Sequence, residues 1–296
     1  MPILIDMKIL IVGKTSFIAQ GVAAWFAKKE PAPIVDLISV RDDGWCGMDL
    51  SGYDAVIFAA ALVHRPDVTD WAIYEQINVQ LPYDFALHAK ECGVGQFVFL
   101  SSVSVYRAER TLPVGTVIDE CTPLEPDSLY GKSKLQAEKA LQTLADDAFC
   151  VSIIRPTFVY GQGCRGRHIE VQKKLARLLP VLPRAFTDVK LGMVYIDNLA
   201  ELCWLVLHSG CSGIYHAQDK APLSTCDILA TMAPRKKQLR CQWMLRPFAG
   251  LSIMKRLFGG SAYSEETAAC PLGDYQLVSM KDGIRRTTSQ KKGETT

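Results

Sequence analysis

Five short apolar runs, alternating with longer stretches of helical pattern, restrict this chain to a narrow set of folds. The runs occupy residues 8–12, 34–40, 54–59, 96–100 and 150–154. They read as buried strands rather than as strands with one wet face, so both faces must be covered. Between them, residues 16–29, 70–91 and 128–144 read as helices. Pro31 and Pro33 stop the first, and Gly93 and Gly95 the second. Strand–helix alternation with right-handed crossovers predicts an α/β fold built on a doubly wound parallel sheet.

Beyond Arg155 the pattern changes. Residues 161–167 are glycine-rich and basic, a loop. A helix is predicted over 168–179, a strand over 193–196, a helix over 197–208 and a strand over 212–217. The expected division is a sheet domain over 1–157 with 190–212 returning to it, and a smaller C-terminal lobe from 158–189 and 213–284. Residues 285–296, rich in Thr, Ser, Gln and Lys, are expected to be a flexible tail. The basic segment 235–258 carries Trp243, Phe248 and Phe258. It can be a helix lying on a membrane surface or a lobe helix covering the cleft; Pro247 and Gly250 interrupt a long amphipathic face and favour the second.

Bulk properties exclude several classes. The net charge of +2 gives no reason to expect a nucleic-acid partner. The 10 cysteines are scattered, with no C-x-x-C pair and no His/Cys cluster of zinc spacing, so no metal is expected. Scattered cysteines read as reduced thiols of a cytoplasmic protein. The N-terminus has no basic region before its apolar residues, so a secretory signal is not expected. No apolar run nears the ~20 residues that span a bilayer, and no membrane insertion is expected.

Two local patterns carry chemistry. Gly13-Lys14-Thr15-Ser16-Phe17-Ile18 lies between the first strand and first helix, where a dinucleotide pyrophosphate meets a helix N-terminus. The second strand ends Ser39-Val40-Arg41 rather than in an acid. Ser39 and Arg41 suit a ribose 2′-phosphate, with Lys14 adding charge, which leans toward NADP(H) without excluding NAD. Second, Tyr130 and Lys134 stand four residues apart on one predicted helix, so both side chains can point into one site. A cation beside a phenol is expected to lower its pKa and fit it for proton exchange with a hydroxyl.

Together these residues resemble the extended short-chain dehydrogenase/reductase superfamily, in its NAD(P)-dependent nucleotide-sugar epimerase/dehydratase branch. The likeness runs from about Lys8 to His216. It comprises the glycine turn, Asp49-Leu50, Phe58-Ala59-Ala60-Ala61, Asn78-Val79, Ser101-Ser102 through Tyr106, Tyr130-Gly131-Lys132-Ser133-Lys134, Arg155-Pro156 through Gly161, and Val194 through Asn198. The family's three-glycine turn falls here on Gly13, Ser16 and Ala19, so only the first glycine remains. Ser16 is the more serious change, and its hydroxyl can cap the helix and donate to phosphate instead.

The resemblance implies a Rossmann-type fold with a C-terminal substrate-binding lobe. It implies Ser102, Tyr130 and Lys134 as the catalytic set. Lys134 would bind the nicotinamide ribose and depress the Tyr130 pKa. Asp49 and Leu50 would border the adenine, and Ala59, Ala60 and Ala61 would pass the pyrophosphate and ribose. Ser101 and Pro156 would line the coenzyme site, and Asn78 would lie behind the nicotinamide or make only a helix-interior contact. Substrate contacts would come from His64, Ser104, Phe158, Arg167, His168 and Lys190, with Arg165 nearby. A homodimer would use helices 70–91 and 128–144.

Dehydratases carry Asp-Glu after the catalytic hydroxyl, whereas Val103-Ser104 follow Ser102 here, which disfavours dehydration. A 4-epimerase and a 4-ketoreductase acting on a nucleotide-diphosphate sugar, most simply a UDP-sugar, both stay open. Arg41 and the aromatic Phe158 tilt toward reduction, and the Ser101–Tyr106 and Tyr130–Lys134 stretches toward UDP-galactose 4-epimerases. The rivals are a non-catalytic NADP or sugar-nucleotide binder on the same fold, and a reductase of a non-sugar carbonyl.

Overall fold

Ile9 and Ile11 face one way from the first strand, Leu10 and Val12 the other, and all four are fully buried. That two-sided burial organises the molecule. The computed structural model describes residues 7–63, 67–107, 111–164 and 166–289. Its first half contains β1 (Lys8–Val12), α1 (Phe17–Phe26), β2 (Ile34–Ile38), β3 (Ala55–Phe58), α2 (Trp71–Glu75), α3 (Leu81–Glu91), β4 (Gln96–Leu100), β5 (Thr116–Ile118) and α4 (Leu129–Gln142). The second half contains β6 (Cys150–Pro156), β7 (Phe158–Tyr160), α5 (Arg167–Leu178), β8 (Leu182–Arg184), β9 (Met193–Tyr195), α6 (Ile196–Ser209) and β10 (Gly213–Ala217). It continues with α7 (Thr225–Met232), β11 (Gln238–Arg240), α8 (Gln242–Leu245), α9 (Ser252–Phe258), β12 (Ser261–Tyr263), α10 (Glu265–Ala268) and α11 (Met280–Thr288).

Six parallel strands form the central sheet in the order β10-β6-β4-β3-β1-β2. Helices α1 and α6 cover one face, through Ala19, Val22, Phe26, Leu199 and Leu202. Helices α3 and α4 cover the other, through Phe85, Ala86, Ala137 and Leu141. The chain steps from β1 outward to β2 and then back past β1 to β3. A crevice opens at such a reversal, above the carboxyl ends of the strands.

Several expectations change in detail. The second strand stops at Ile38 rather than residue 40, because the Ile38 carbonyl accepts from the amides of Gly13 (2.9 Å) and Lys14 (2.8 Å). The helix read over 70–91 has a π-helical turn, Gln76–Gln80, wound into it. Residues 213–217, read with the smaller lobe, are β10 at the edge of the large sheet, while the lobe is built of three two-stranded pairs and α5, α7, α9 and α11. The tail expected from 285 begins inside α11, which continues to Thr288; residues 290–296 lie outside the described residues. Among the described residues no helix is long and apolar enough to cross a membrane.

Candidate active site

Gly13 ends β1 with φ +116°, in the region that favours glycine. A Cβ there would lie 3.0 Å from the Ala60 amide nitrogen and 3.1 Å from the Ala59 carbonyl carbon. The loops after β1 and β3 therefore touch backbone to backbone, and the crevice floor has no side chain. α1 starts just beyond, directing its free amides into that crevice. Ser16 takes the N-cap position with extended backbone, but its hydroxyl makes no capping hydrogen bond, contrary to the capping expectation. Phe17 and Ile18 send their side chains into the core below, so only their backbone faces the crevice. Lys14 and Thr15 are exposed.

At the end of β2, Arg41 Nη2 donates to Thr15 Oγ1 at 3.0 Å, and the Arg41 amide donates to Ser39 Oγ at 3.3 Å. The neighbouring acids are engaged elsewhere. Asp36 accepts from the Tyr53 hydroxyl (2.8 Å) and Asp42 from the Gly44 amide (3.2 Å). Asp49 is exposed and accepts from the Ser51 amide, while Leu50 is buried in the core. Ala60 and Ala61 are partly exposed beside Ala59.

Ser102 lies just beyond β4, where its hydroxyl opens the turn Val103–Val105 by accepting from the Ser104 amide (3.1 Å) and donating to the Ser104 hydroxyl (3.1 Å). Ser128 caps α4 through the Gly131 amide and sets its first turn, which holds Tyr130. A Cβ on Gly131 would stand 2.2 Å from the Ser104 carbonyl oxygen, so this glycine lets α4 approach the Ser102 turn. The Ser102 hydroxyl is thereby brought near enough to the Tyr130 phenol to favour its ionised form.

The electrostatics correct one expectation. Burial pushes the Tyr130 phenol up to about 12, the nearby Ser102 hydroxyl opposes this, and the Tyr74 phenol adds to it. The depression expected from Lys134 does not occur. Lys134 is turned inward: Nζ donates to the Leu100 carbonyl (2.8 Å) and sits 4.3 Å from the centre of the Phe99 ring. Burial draws this ammonium down to about 7, with Glu138 opposing.

Asn78 sits in the π-helical turn and is fully engaged with protein. Its Oδ1 accepts from the Leu62 amide (2.7 Å), and its Nδ2 donates to the Leu62 carbonyl (2.9 Å) and Ser133 Oγ (2.9 Å). It ties the loop after β3 to the helix of Tyr130 and Lys134. Ser101 is buried, donating from its hydroxyl to Glu138 and from its amide to Ile154. Pro156 is buried opposite Ala217.

A buried polar network below this site escaped the sequence reading. Glu138, one turn past Lys134, accepts from Arg155 Nε (3.0 Å) and Nη2 (2.6 Å). Arg155 Nη1 donates to the Tyr106 hydroxyl (2.7 Å), which lies 2.7 Å from His216 Nε2. Burial, and then the charge of Arg155, pull His216 down to about 4. Tyr263 closes the chain by donating to the Arg155 carbonyl (3.1 Å). The signal was available: Arg155 and Glu138 are charges on faces otherwise apolar, which must find partners.

On the lobe side, the Phe158 ring meets His168 edge-on at 5.5 Å, and Gln172 Nε2 donates to His168 Nε2 at 3.0 Å. Gln172 Oε1 is buried with no hydrogen-bond partner among the described residues. Lys190 is exposed and donates to the Thr187 carbonyl (2.8 Å). His64, Arg165 and the Arg167 side chain lie outside the described residues. A recess of about 570 Å³ lined by Glu170, Lys173 and Arg177 contains none of the expected site residues.

The chain is similar to known proteins. Residues 9–216 match the model of the NAD dependent epimerase/dehydratase family. A relative from Escherichia coli O157:H7, N-acetyl-alpha-D-glucosaminyl-diphospho-ditrans,octacis-undecaprenol 4-epimerase, is 32% identical over 202 residues. That match covers 67% of this chain and 59% of the relative's length. UDP-glucose 4-epimerase of Vibrio cholerae is 26% identical over 226 residues, covering 74% of this chain and 68% of the relative. Among solved structures, UDP-N-acetylglucosamine 4-epimerase from Bacillus cereus superimposes with a TM-score of 0.73 at 18% identity, over 96% of this chain and 98% of that one.

Proposed function

The chain belongs to the NAD dependent epimerase/dehydratase family, and on that premise we propose that it inverts C4 of a diphosphate-linked sugar with Ser102, Tyr130 and Lys134. The observation that carries this reading is the close approach of the Ser102 turn to the first turn of α4, which brings Ser102 beside Tyr130 one helical turn from Lys134.

The crevice suits a nicotinamide dinucleotide. Gly13 leaves it without a side chain, and the N-terminus of α1 with the uncommitted Ser16 hydroxyl suits a pyrophosphate. The bound coenzyme would supply the hydride acceptor for C4. Tyr130 would take the proton from the sugar 4-hydroxyl and return it after the ring has turned over. Ser102 would hold the same oxygen by a hydrogen bond. Lys134, one helical turn further on, would hold the nicotinamide ribose.

The two relatives act, by name, on a UDP-sugar and on a polyprenol diphospho-sugar. A sugar carried on a diphosphate is common to both and is the substrate class proposed here. Lys190 would pair with the diphosphate, and Phe158, His168 and the uncommitted Gln172 Oε1 would contact the group on its far side.

One observation favours a second outcome for the same chemistry. Arg41, Ser39, Thr15 and Lys14 gather at the end of β2, where a 2′-phosphate would sit, while Asp36 is engaged by Tyr53. With NADPH the set would reduce a 4-keto sugar once instead of returning hydride to it. The test is incubation with NAD, and separately with NADPH, against UDP-sugars and their 4-keto forms. Loss of the C4 configuration, followed by NMR, supports epimerisation. Oxidation of NADPH by the keto sugar supports reduction. Tight coenzyme binding with neither reaction on any diphosphate-linked sugar would replace this reading with a binding protein.

A further inference from the structure

From Ile228 to Ser264 the chain has no acidic residue and seven cations: Arg235, Lys236, Lys237, Arg240, Arg246, Lys255 and Arg256. Within that stretch, α8, the short turn after it and α9 form a strip on the outside of the lobe. The strip has a clear inner side. Cys241, Leu245 and Ala249, then Met254 and Phe258, recur at intervals of four and pack on Phe186 and Val189. Residues between them must then point outward. Trp243 is 76% exposed, Ile253 57% and Phe248 53%, with Met244 and Leu251 about as open. Large apolar side chains at this density, in a run whose only charges are cations, are not ordinary surface.

We propose that this strip docks the protein on an anionic lipid bilayer, without insertion. Trp, Phe, Ile and Leu on one side with Arg and Lys around them is the composition of segments that lie in the headgroup layer. Charge complementarity selects the occupant. A run with no acid and seven cations repels a second copy of itself and attracts phosphatidylglycerol or cardiolipin headgroups. Pro247 and Gly250 do not prevent this, because the strip is held in shape by its inner side rather than by one long helix.

The end of the strip also lies against Lys190. Gly260, at its end, packs so closely on Lys190 that a Cβ would stand 2.1 Å from the Lys190 carbonyl oxygen. If Lys190 holds a diphosphate, as in the reading above, a hydrophobic carrier attached to that diphosphate could remain in the bilayer during turnover. Docking itself does not depend on that reading.

The experiment is flotation of the full chain with vesicles of phosphatidylcholine alone, or mixed with phosphatidylglycerol at about two to one. Binding is expected to the mixed vesicles, reversed by high salt. Trp243→Glu with Ile253→Glu should lower the bound fraction about tenfold or more. Arg240→Glu with Arg246→Glu should abolish the preference for anionic vesicles. Both variants should melt like the parent and bind coenzyme like it, since all four side chains are exposed. Equal binding by parent and variants, or none to mixed vesicles, overturns the proposal. So does a concentration-dependent dimer that Trp243→Glu abolishes in the absence of lipid binding. Flotation reads no turnover, so failure of the proposed reaction leaves this result standing.

Discussion

Arg155 Nη2 lies 2.6 Å from Glu138 Oε2, with both side chains almost wholly buried. This pair joins β6 to α4 one helical turn below Lys134, and Ser101 donates to the same carboxylate. The floor of the proposed site is therefore ionic rather than apolar.

Removing one partner of such a pair leaves the other charge buried and uncompensated. Glu138→Gln should destabilise the fold by about 3–5 kcal/mol in urea unfolding. Glu138→Leu combined with Arg155→Met should recover much of that loss. An unchanged midpoint for Glu138→Gln would mean the pair carries no structural weight.

Tyr130→Phe should lower turnover about 10²–10⁴-fold while coenzyme affinity stays near that of the parent. The free protein offers a second readout. Burial holds the phenol near 12, so ultraviolet difference titration against Tyr130→Phe should show no ionisation at pH 10. A phenolate appearing near neutral pH would contradict the environment described.

His216 is held near 4, below its ordinary value of 6.5. Between those values the unfolded chain binds a proton that the folded chain refuses. Stability should therefore fall as pH drops from about 6.5 to about 4, by up to ~1.4 kcal/mol per pH unit from this group. His216→Gln, which still offers Tyr106 a hydrogen bond, should flatten that part of the stability profile. Identical slopes for parent and variant would exclude His216 as the source.

Gly131→Ala should force α4 away from the Ser102 turn, since the new methyl group meets the Ser104 carbonyl. A misplacement of about 1 Å can cost about 10²-fold in turnover. The expected result is that loss, with coenzyme binding retained. Gly47→Ala, with nothing within 4 Å, is the control and should behave as the parent.

Arg41→Ala should weaken NADP(H) by about 10–100-fold and NAD(H) little, the value of a charge-assisted hydrogen bond to a phosphate. Equal losses for both coenzymes in a fluorescence titration would remove Arg41 from the 2′-phosphate site.

The sheet was legible because its strands are buried on both faces and their apolar runs stand out without context. The strand over 96–100 and the helix around Tyr130 and Lys134 lie where the pattern placed them. The pairs β5 with β12 and β8 with β11 were not legible, since three residues are too few to show alternation. The residues of the proposed site divide in the same way. Gly13, Ser102, Tyr130 and Lys134 lie on local motifs and could be read one segment at a time. Tyr106, Glu138, Arg155, His216 and Tyr263 come from five separate elements, and only tertiary folding makes them neighbours. The sign of the Tyr130 shift was missed for a related reason. Spacing places Lys134 on the correct face, but the Leu100 carbonyl and the Phe99 ring decide where its ammonium points.

The π-helical turn at Gln76–Gln80 has a consequence for how this region can change. One surplus residue in a helix rotates everything after it by about 100°. α2 and α3 are consequently out of phase, and Phe85, Ala86 and Ala89 meet the sheet only because of that offset. Deleting a single residue here would let the helix relax to regular winding, swinging either that stripe off the core or Asn78 away from Leu62 and Ser133. Insertions and deletions across residues 71–91 are thus barred by geometry, whatever residue types are substituted.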